Sequence, residues 1–286
     1  MIDRQRILLD LIGRARGNPK RTQLMKWLFL LKEETAIGKS VSFYEFVPYK
    51  YGPFSFLAYR ELSALCQSGV VDEKTLSIPE ASRETVRSET AKLSHGARQA
   101  VAGIVDRYGA LSLERLMEDV YNRYPWYTVR SEVETKAALP KAKEAVFTVG
   151  YEGRTIDGLL DHLLKNGIRQ LVDVRQNALS RKYGFSGKTL RKYCEDVGIS
   201  YVHLPSLGIP SRLRTNLDSD EAYVRLFDKY ERDILPKQAQ AIREAAKLSL
   251  SMPSALMCFE KDHHFCHRGR LVSYVASEAG LPVEHL

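Results

Sequence analysis

Four places in this chain put chemically capable side chains at or just after a short apolar run. Gly150 and Tyr151 follow residues 146–149, and Asp173 and Arg175 bracket the end of 171–174. His203 lies within 201–204, and residues 255–259 lead through Cys258 and Glu260 to Cys266, His267 and Arg268. Asp173 and Arg175 are two apart, so on an extended segment they share a face. Their carboxylate can orient a water or a ribose hydroxyl while the planar guanidinium fork takes a phosphate, or the two can simply brace each other. Glu260 stands where partial burial would raise its pKa and suit it to proton transfer. His203 is either a base or a hydrogen-bonded core imidazole. Cys266, His267 and Arg268 open a last helix whose free amides, with the two cationic side chains, form an anion site. The expected catalytic set is Asp173, Glu260 and His203. The expected ligand or phosphate set is Gly150, Tyr151, Arg175, Arg181, Cys266, His267 and Arg268.

Cys258 and Cys266 allow three chemistries. A thiolate nucleophile would be activated by His267, Arg268 or a helix N-terminus. Metal ligation would recruit His263, His264 or His267. Burial as small apolar groups is the third. The spacing matches neither a Cys-x5-Arg phosphate loop nor compact paired Cys-x2-Cys zinc ligands, so no metal ligand is assigned and no cofactor is specified. A basic stretch of Arg181, Lys182, Lys188, Arg191 and Lys192, with Arg212 and Arg214 beyond it, is interleaved with Tyr183, Phe185 and Tyr193. Cations for phosphates and rings for bases suit single-strand or flipped-base binding; a solvated face with inward-packed rings is the alternative.

The elements that must position these residues change rhythm near the middle of the chain. From residue 145 onward, apolar runs of four to six residues alternate with helical periodicity, which predicts an α/β, Rossmann-like domain with a mainly parallel sheet and flanking helices. In such sheets ligands bind beyond the carboxyl ends of the strands, where all the residues above fall. Residues 1–132 predict a mostly helical, winged-helix-like recognition domain. It has a helix capped by Thr22, an extended segment over 41–51, a turn at Tyr51-Gly52-Pro53, a helix opened by Ser55 and a β-wing over 70–86. Lys20, Arg21, Lys26 and Lys50 are its candidate DNA contacts. Residues 133–144 are the linker, leaving 145–286 as the α/β domain.

Composition bounds the rest. The 286 residues carry 43 Lys and Arg against 35 Asp and Glu, a net +8 compatible with a polyanionic partner, and 44% hydrophobic residues, enough for a buried core. No apolar run approaches the ~20 residues of a membrane span. The charged N-terminal stretch is unlike a signal peptide, and four cysteines are too few for a disulfide scaffold, so a reduced, cytoplasmic protein is expected.

The segments TVGYEG, LVDVRQN, SRKYGFS, YVHLPSLGIPSRLR, CFEKD and CHR, in this order over 147–279, resemble the domain-of-unknown-function family numbered 488. The resemblance implies a Rossmann-like pocket bounded by residues including Gly150, Asp173, Arg175, His203, Glu260 and Arg268; it implies no reaction. In the first half, LMKWLFLLKEE, FVPYKYGPFSFLAYREL and RYGALSLERLMEDVY resemble Panacea-type (SocA-like) domains, which implies a recognition module for DNA or a protein partner. Taken together these features predict a nucleic-acid- or nucleotide-acting hydrolase, by base excision or phosphodiester cleavage, in genome maintenance or phage defence. Two alternatives are a non-enzymatic nucleotide sensor or antitoxin-like adaptor, and a rhodanese-like thiol enzyme.

Overall fold

The computed structural model describes residues 1–39, 42–214 and 219–286, and the chain divides into two units, Met1–Ala138 and Leu139–Leu286. Val41, the first residue of the expected extended segment, lies outside the described residues.

In the first unit the helices are α1 (Asp3–Arg14), α2 (Arg21–Glu34), α3 (Phe56–Gln67), α4 (Arg83–Ala91), α5 (His95–Tyr108) and α6 (Leu113–Arg123). Residues 24–31 of α2 are all buried, so this helix is the core of the unit rather than an amphipathic surface helix. It starts at Arg21 after an extended Lys20, which places Thr22 inside the first turn instead of at the cap. One member of the buried run is Lys26. Its ammonium donates to the Pro53 carbonyl at 3.1 Å, and burial lowers its pKa to about 7. Strands β1 (Val47–Tyr49) and β2 (Gly52–Phe54) form a hairpin in which Tyr49 faces Gly52, so Lys50 and Tyr51 make the turn and Gly52 takes φ +88°. Ser55 caps α3 by accepting from the Ala58 amide at 3.2 Å.

The expected wing over 70–86 is not a hairpin. Asp72 Oδ1 instead accepts from the amides of Lys74 and Thr75 and the Thr75 hydroxyl, and the segment enters α4. Local side-chain-to-backbone bonds of this kind compete with strand pairing, and Pro79 removes a ladder donor. The basic residues are also reassigned: Lys26 is 1% exposed, Lys50 pairs with Glu132 at 3.0 Å, and Arg21 pairs with Glu73 and stacks on Tyr59.

The second unit is an α/β layer structure. Its strands are β3 (Val146–Gly150), β4 (Gln170–Asp173), β5 (Ser200–His203), β6 (Ser254–Cys258) and β7 (Val283–His285), in the order β5-β4-β6-β3-β7 with every pairing parallel. Helices α7 (Ile156–Lys165), α8 (Gly187–Asp196), α9 (Asp220–Lys229), α10 (Ala239–Ser251) and α11 (His267–Ala279) connect them. The central strands β3, β4 and β6 are buried at every position, the signature of a sheet covered on both faces. α7 buries Ile156, Leu159, Leu160, Leu163 and Leu164, a single helical stripe, and Thr155 caps it by accepting from the Gly158 amide.

Strand alternation then assigns the two faces. Val172, Val174, Leu256 and Cys258 point into the core formed with α10 and α11. With a side-chain period of two, Asp173 and Arg175 point the other way, towards α7 and α8.

Candidate functional site

The residues singled out in the sequence do come to the carboxyl edge of the sheet, but not to one shared hollow. They form two adjoining clusters, one on each face. Alternation along a strand forces this: Asp173 and Val174 are neighbours and must face opposite sides.

The first cluster is a buried ion pair. Asp173 is 0% exposed and Arg175 6%. Arg175 Nε donates to Asp173 Oδ1 at 2.8 Å and Nη2 to Oδ2 at 2.6 Å, a bidentate fork. The Arg175 amide adds a bond to Oδ1 at 3.1 Å and the Tyr201 hydroxyl one to Oδ2 at 2.7 Å. All four acceptor positions of the carboxylate are thereby filled. Asp173 holds Arg175 in place rather than standing ready to take a proton. Arg175 also donates to the Tyr151 hydroxyl at 2.9 Å and to the Phe185 carbonyl at 3.0 Å. Burial works against its charge, but the hydrogen bonds and charge of Asp173 outweigh it and raise its pKa. Burial, then the Asp173 charge, pushes the Tyr201 phenol up, so it remains a donor. Tyr151 and Phe185 are themselves buried and stack at 4.3 Å, so these rings form the floor of the site and offer no open face.

The second cluster gathers Cys258 at the end of β6, Glu260 on the loop after it, and Cys266 and His267 at the start of α11. Cys258 Sγ lies 3.4 Å from Glu260 Oε2 and 3.6 Å from His267 Nδ1, while Cys266 Sγ lies 3.9 Å from the same nitrogen. His267 Nε2 faces the Val174 carbonyl at 3.2 Å; because a carbonyl only accepts, Nε2 carries a proton, and Nδ1 is the atom turned towards the two sulfurs. Cys258, Cys266 and His267 are each 1% exposed. Burial and the neighbouring Cys258 thiol push the Cys266 thiol well above its ordinary range, the opposite of an activated nucleophile.

The expectation for Glu260 is corrected in the same way. Burial pushes its carboxyl up, but the Cys266 hydrogen bond, its own backbone amide, His267 and the Cys258 thiol together hold it below the usual range. Arg268 is 1% exposed and pairs with neither Glu260 nor Asp173; it donates to the carbonyls of Glu260 and Lys261 and so ties the loop to α11. Gly150 serves this loop as well. A Cβ there would sit 1.9 Å from the Glu260 carbonyl oxygen, so only glycine lets the loop close over the end of β3. A Cβ at Gly208 would likewise meet the Gln176 amide at 2.1 Å, where the loops after β4 and β5 touch.

Between the clusters opens a cleft of about 190 Å³ whose lining includes Arg175, Asn177, Leu179, Ser211, Arg214 and Phe259. It adjoins a wider depression of about 460 Å³ lined by Ser186, Lys188, Arg191, Tyr201 and His203, with Gln176, Asn177 and Leu179 common to both. His203 Nε2 donates to the Arg175 carbonyl at 2.7 Å, which leaves Nδ1 as its basic atom. Arg181, Lys188, Arg212 and Arg214 are exposed, whereas Lys182 donates to the Tyr151 carbonyl and Arg191 to the Tyr201 carbonyl. A larger cavity of about 660 Å³, lined in part by Ala142, Arg169, Met252 and Leu281, lies at the opposite, amino edge of the sheet and holds none of the expected residues.

Sequence reasoning missed Tyr201, read only as part of an apolar run. Register places it on the face of Asp173, because Leu171 pairs with Tyr201 and Asp173 with His203. It also missed Phe259, 43% exposed beside the cleft with its edge on Tyr151 at 5.2 Å, and Leu179, 82% exposed. An apolar side chain left in water next to a cleft is the signal for such residues, and it exists only after folding.

The second unit is similar to the family described as Domain of unknown function DUF488, whose model matches residues 155–275. That span runs from the cap of α7 into α11 and contains both clusters apart from Gly150 and Tyr151. No curated protein and no solved structure matches the chain.

Proposed function

We propose that the second unit binds a nucleotide or a single nucleic-acid strand at the carboxyl edge of its sheet and hydrolyses it. The observation that carries this reading is the composition of the cleft, which is lined by the buried Arg175, the exposed Arg214 and the exposed apolar side chains of Phe259 and Leu179. Cations for phosphates beside an exposed aromatic ring suit a strand whose bases stack. His203 is the general base of this proposal, its Nδ1 lone pair fixed by the bond from Nε2 to the backbone. Asp173 positions Arg175, and Glu260 belongs to the loop folded over the end of β3. The Rossmann-like description extends to the parallel sheet and the ligand edge; the strand order, 3-2-4-1-5 within the unit, differs from the dinucleotide-binding order 3-2-1-4-5-6. The first unit, with its Panacea-like segments, is the recognition module of this scheme, in a cytoplasmic genome-maintenance or defence setting.

The test is incubation of the full chain with single- and double-stranded DNA and RNA, with and without divalent ions, followed for released base or cut strand. Turnover that falls about 10²–10⁴-fold in His203→Ala, with binding retained, supports the proposal. Salt-sensitive binding with no turnover on any substrate supports instead a nucleotide-sensing module, a reading favoured by the filled acceptor positions of Asp173. Unchanged turnover in Cys258→Ser and Cys266→Ser excludes the rhodanese-like alternative, against which the burial of both thiols already argues.

A further inference from the structure

We infer that Cys258, Glu260, Cys266 and His267 form a structural zinc site that clamps the end of β6 to the start of α11. The inference goes beyond the hydrolytic reading and does not depend on it.

The donor set fits this metal in kind, and its closest separations approach the spacing the metal needs. Zinc in closed sites takes four ligands from thiolate, imidazole and carboxylate groups, with bonds of roughly 2.0–2.3 Å, so tetrahedral donors stand roughly 3.3–3.8 Å apart. The observed separations are 3.4 Å from Cys258 Sγ to Glu260 Oε2, 3.6 Å from Cys258 Sγ to His267 Nδ1 and 3.9 Å from Cys266 Sγ to His267 Nδ1. Cys258 Sγ, Cys266 Sγ and one imidazole nitrogen of His267 lie within 4.8 Å of one another and form the three-donor core; the Glu260 carboxylate, which touches Cys258, stands outside that group and completes the four by turning inwards.

Two further observations bear on the orientation and the charge of the site. The ring of His267 is oriented as metal-bound imidazoles are, with the distal Nε2–H on a backbone carbonyl and Nδ1 turned towards the sulfurs. The buried guanidinium of Arg268 makes no ion pair among the described residues, and its Nε has no hydrogen-bond partner. Two thiolates and a carboxylate around Zn²⁺ carry one net negative charge, which Arg268, bonded to the carbonyl of the ligand residue Glu260, neutralises. Ligands at 258, 260, 266 and 267 leave a loop of five residues between the second and third. That departs from compact paired spacings, which is why the pattern is hidden in the sequence. The strand end and the helix start, rather than a knuckle loop, bring the donors together.

The test uses untagged, full-length protein purified under reducing conditions. Metal analysis should find about one zinc ion per chain. Exchange for Co²⁺ should give a thiolate-to-cobalt charge-transfer band and the intense visible bands of a tetrahedral centre, both lost in Cys258→Ser/Cys266→Ser and kept in Cys66→Ser. To separate loss of metal from loss of fold in the double variant, a second measurement on the unaltered chain maps alkylation by mass spectrometry: a chelator should expose Cys258 and Cys266 to N-ethylmaleimide and added zinc should protect them again. Zinc in fewer than about one chain in ten, a cobalt spectrum without thiolate bands, alkylation indifferent to chelator, or a Cys258–Cys266 disulfide in the reduced preparation would each overturn the assignment.

Discussion

The two faces of the sheet edge handle buried polar groups in opposite ways. On the α7 and α8 face, Asp173 and Arg175 cancel each other and the phenols of Tyr201 and Tyr151 complete their bonding, so the cluster is closed on itself. On the α11 face, two thiols, an imidazole and a carboxylate converge with no cation among them, and the nearby guanidinium of Arg268 bonds backbone carbonyls instead. A self-neutralised cluster is a positioning device. A cluster of donors alone is a receptor for a cation. The first unit supplies a third arrangement, a lone buried cation: Lys26 has one carbonyl partner and a depressed pKa where Arg175 has a carboxylate and a raised one.

The sharpest way to break this comparison is Asp173→Asn, which leaves Arg175 buried without its counter-charge. Urea unfolding should show a loss of about 3–5 kcal/mol. A loss below about 1 kcal/mol would mean the pair is not the centre of that face. Lys26 gives the next largest effect, and its sign is opposite to that of a paired cation. Its folded pKa, about 7, lies below the unfolded value of 10.5, so between these values the unfolded chain binds the extra proton. Stability therefore rises with pH across that window, by roughly 3 kcal/mol between pH 7 and 10, and below pH 7 the penalty is fully present. Lys26→Met should stabilise the protein at pH 6 and remove this slope; an unchanged slope would show that the ammonium is not the titrating group. Tyr201→Phe tests how far the ion pair depends on its third partner, with an expected loss of about 1.5–3 kcal/mol for one hydrogen bond to a charged group. Smallest for the fold is Phe259→Ala. With 43% of that residue exposed, the urea midpoint should hardly move, while binding of a single-stranded oligonucleotide should weaken by about 1–3 kcal/mol if the ring is a stacking platform. Equal binding by the variant would remove Phe259 from the cleft's function.

Much of this architecture was legible in the residues. The apolar runs at 146–149, 171–174, 201–204 and 255–259 became β3, β4, β5 and β6 with boundary shifts of one residue; β3, β4 and β6 are legible because strands buried on both faces must be continuously apolar, while the edge strand β5 keeps a shorter apolar run. β7 escaped notice because its Val-Glu-His sequence, at an edge, is half exposed. The wing over 70–86 failed because an Asp72 turn satisfies the backbone locally, which composition does not reveal. Among the candidate site residues, position at the strand ends was readable, whereas which partner each side chain meets was not. Glu260 is the clearest case: burial alone predicts a raised pKa, and the thiols, amide and imidazole reverse it.

Periodicity and order can be read directly along the chain: an α/β unit after residue 145, and chemically capable residues at the ends of its strands. Such information is local, since a side chain's alternation along a strand or spacing along a helix depends only on its neighbours in the chain. The pairing of Asp173 with Arg175 and Tyr201, the separation of the residues onto two faces, and the meeting of Cys258 with Cys266 and His267 were decided only by the tertiary structure. Those contacts depend on strand order and register, and these are set by how whole layers bury their apolar faces together.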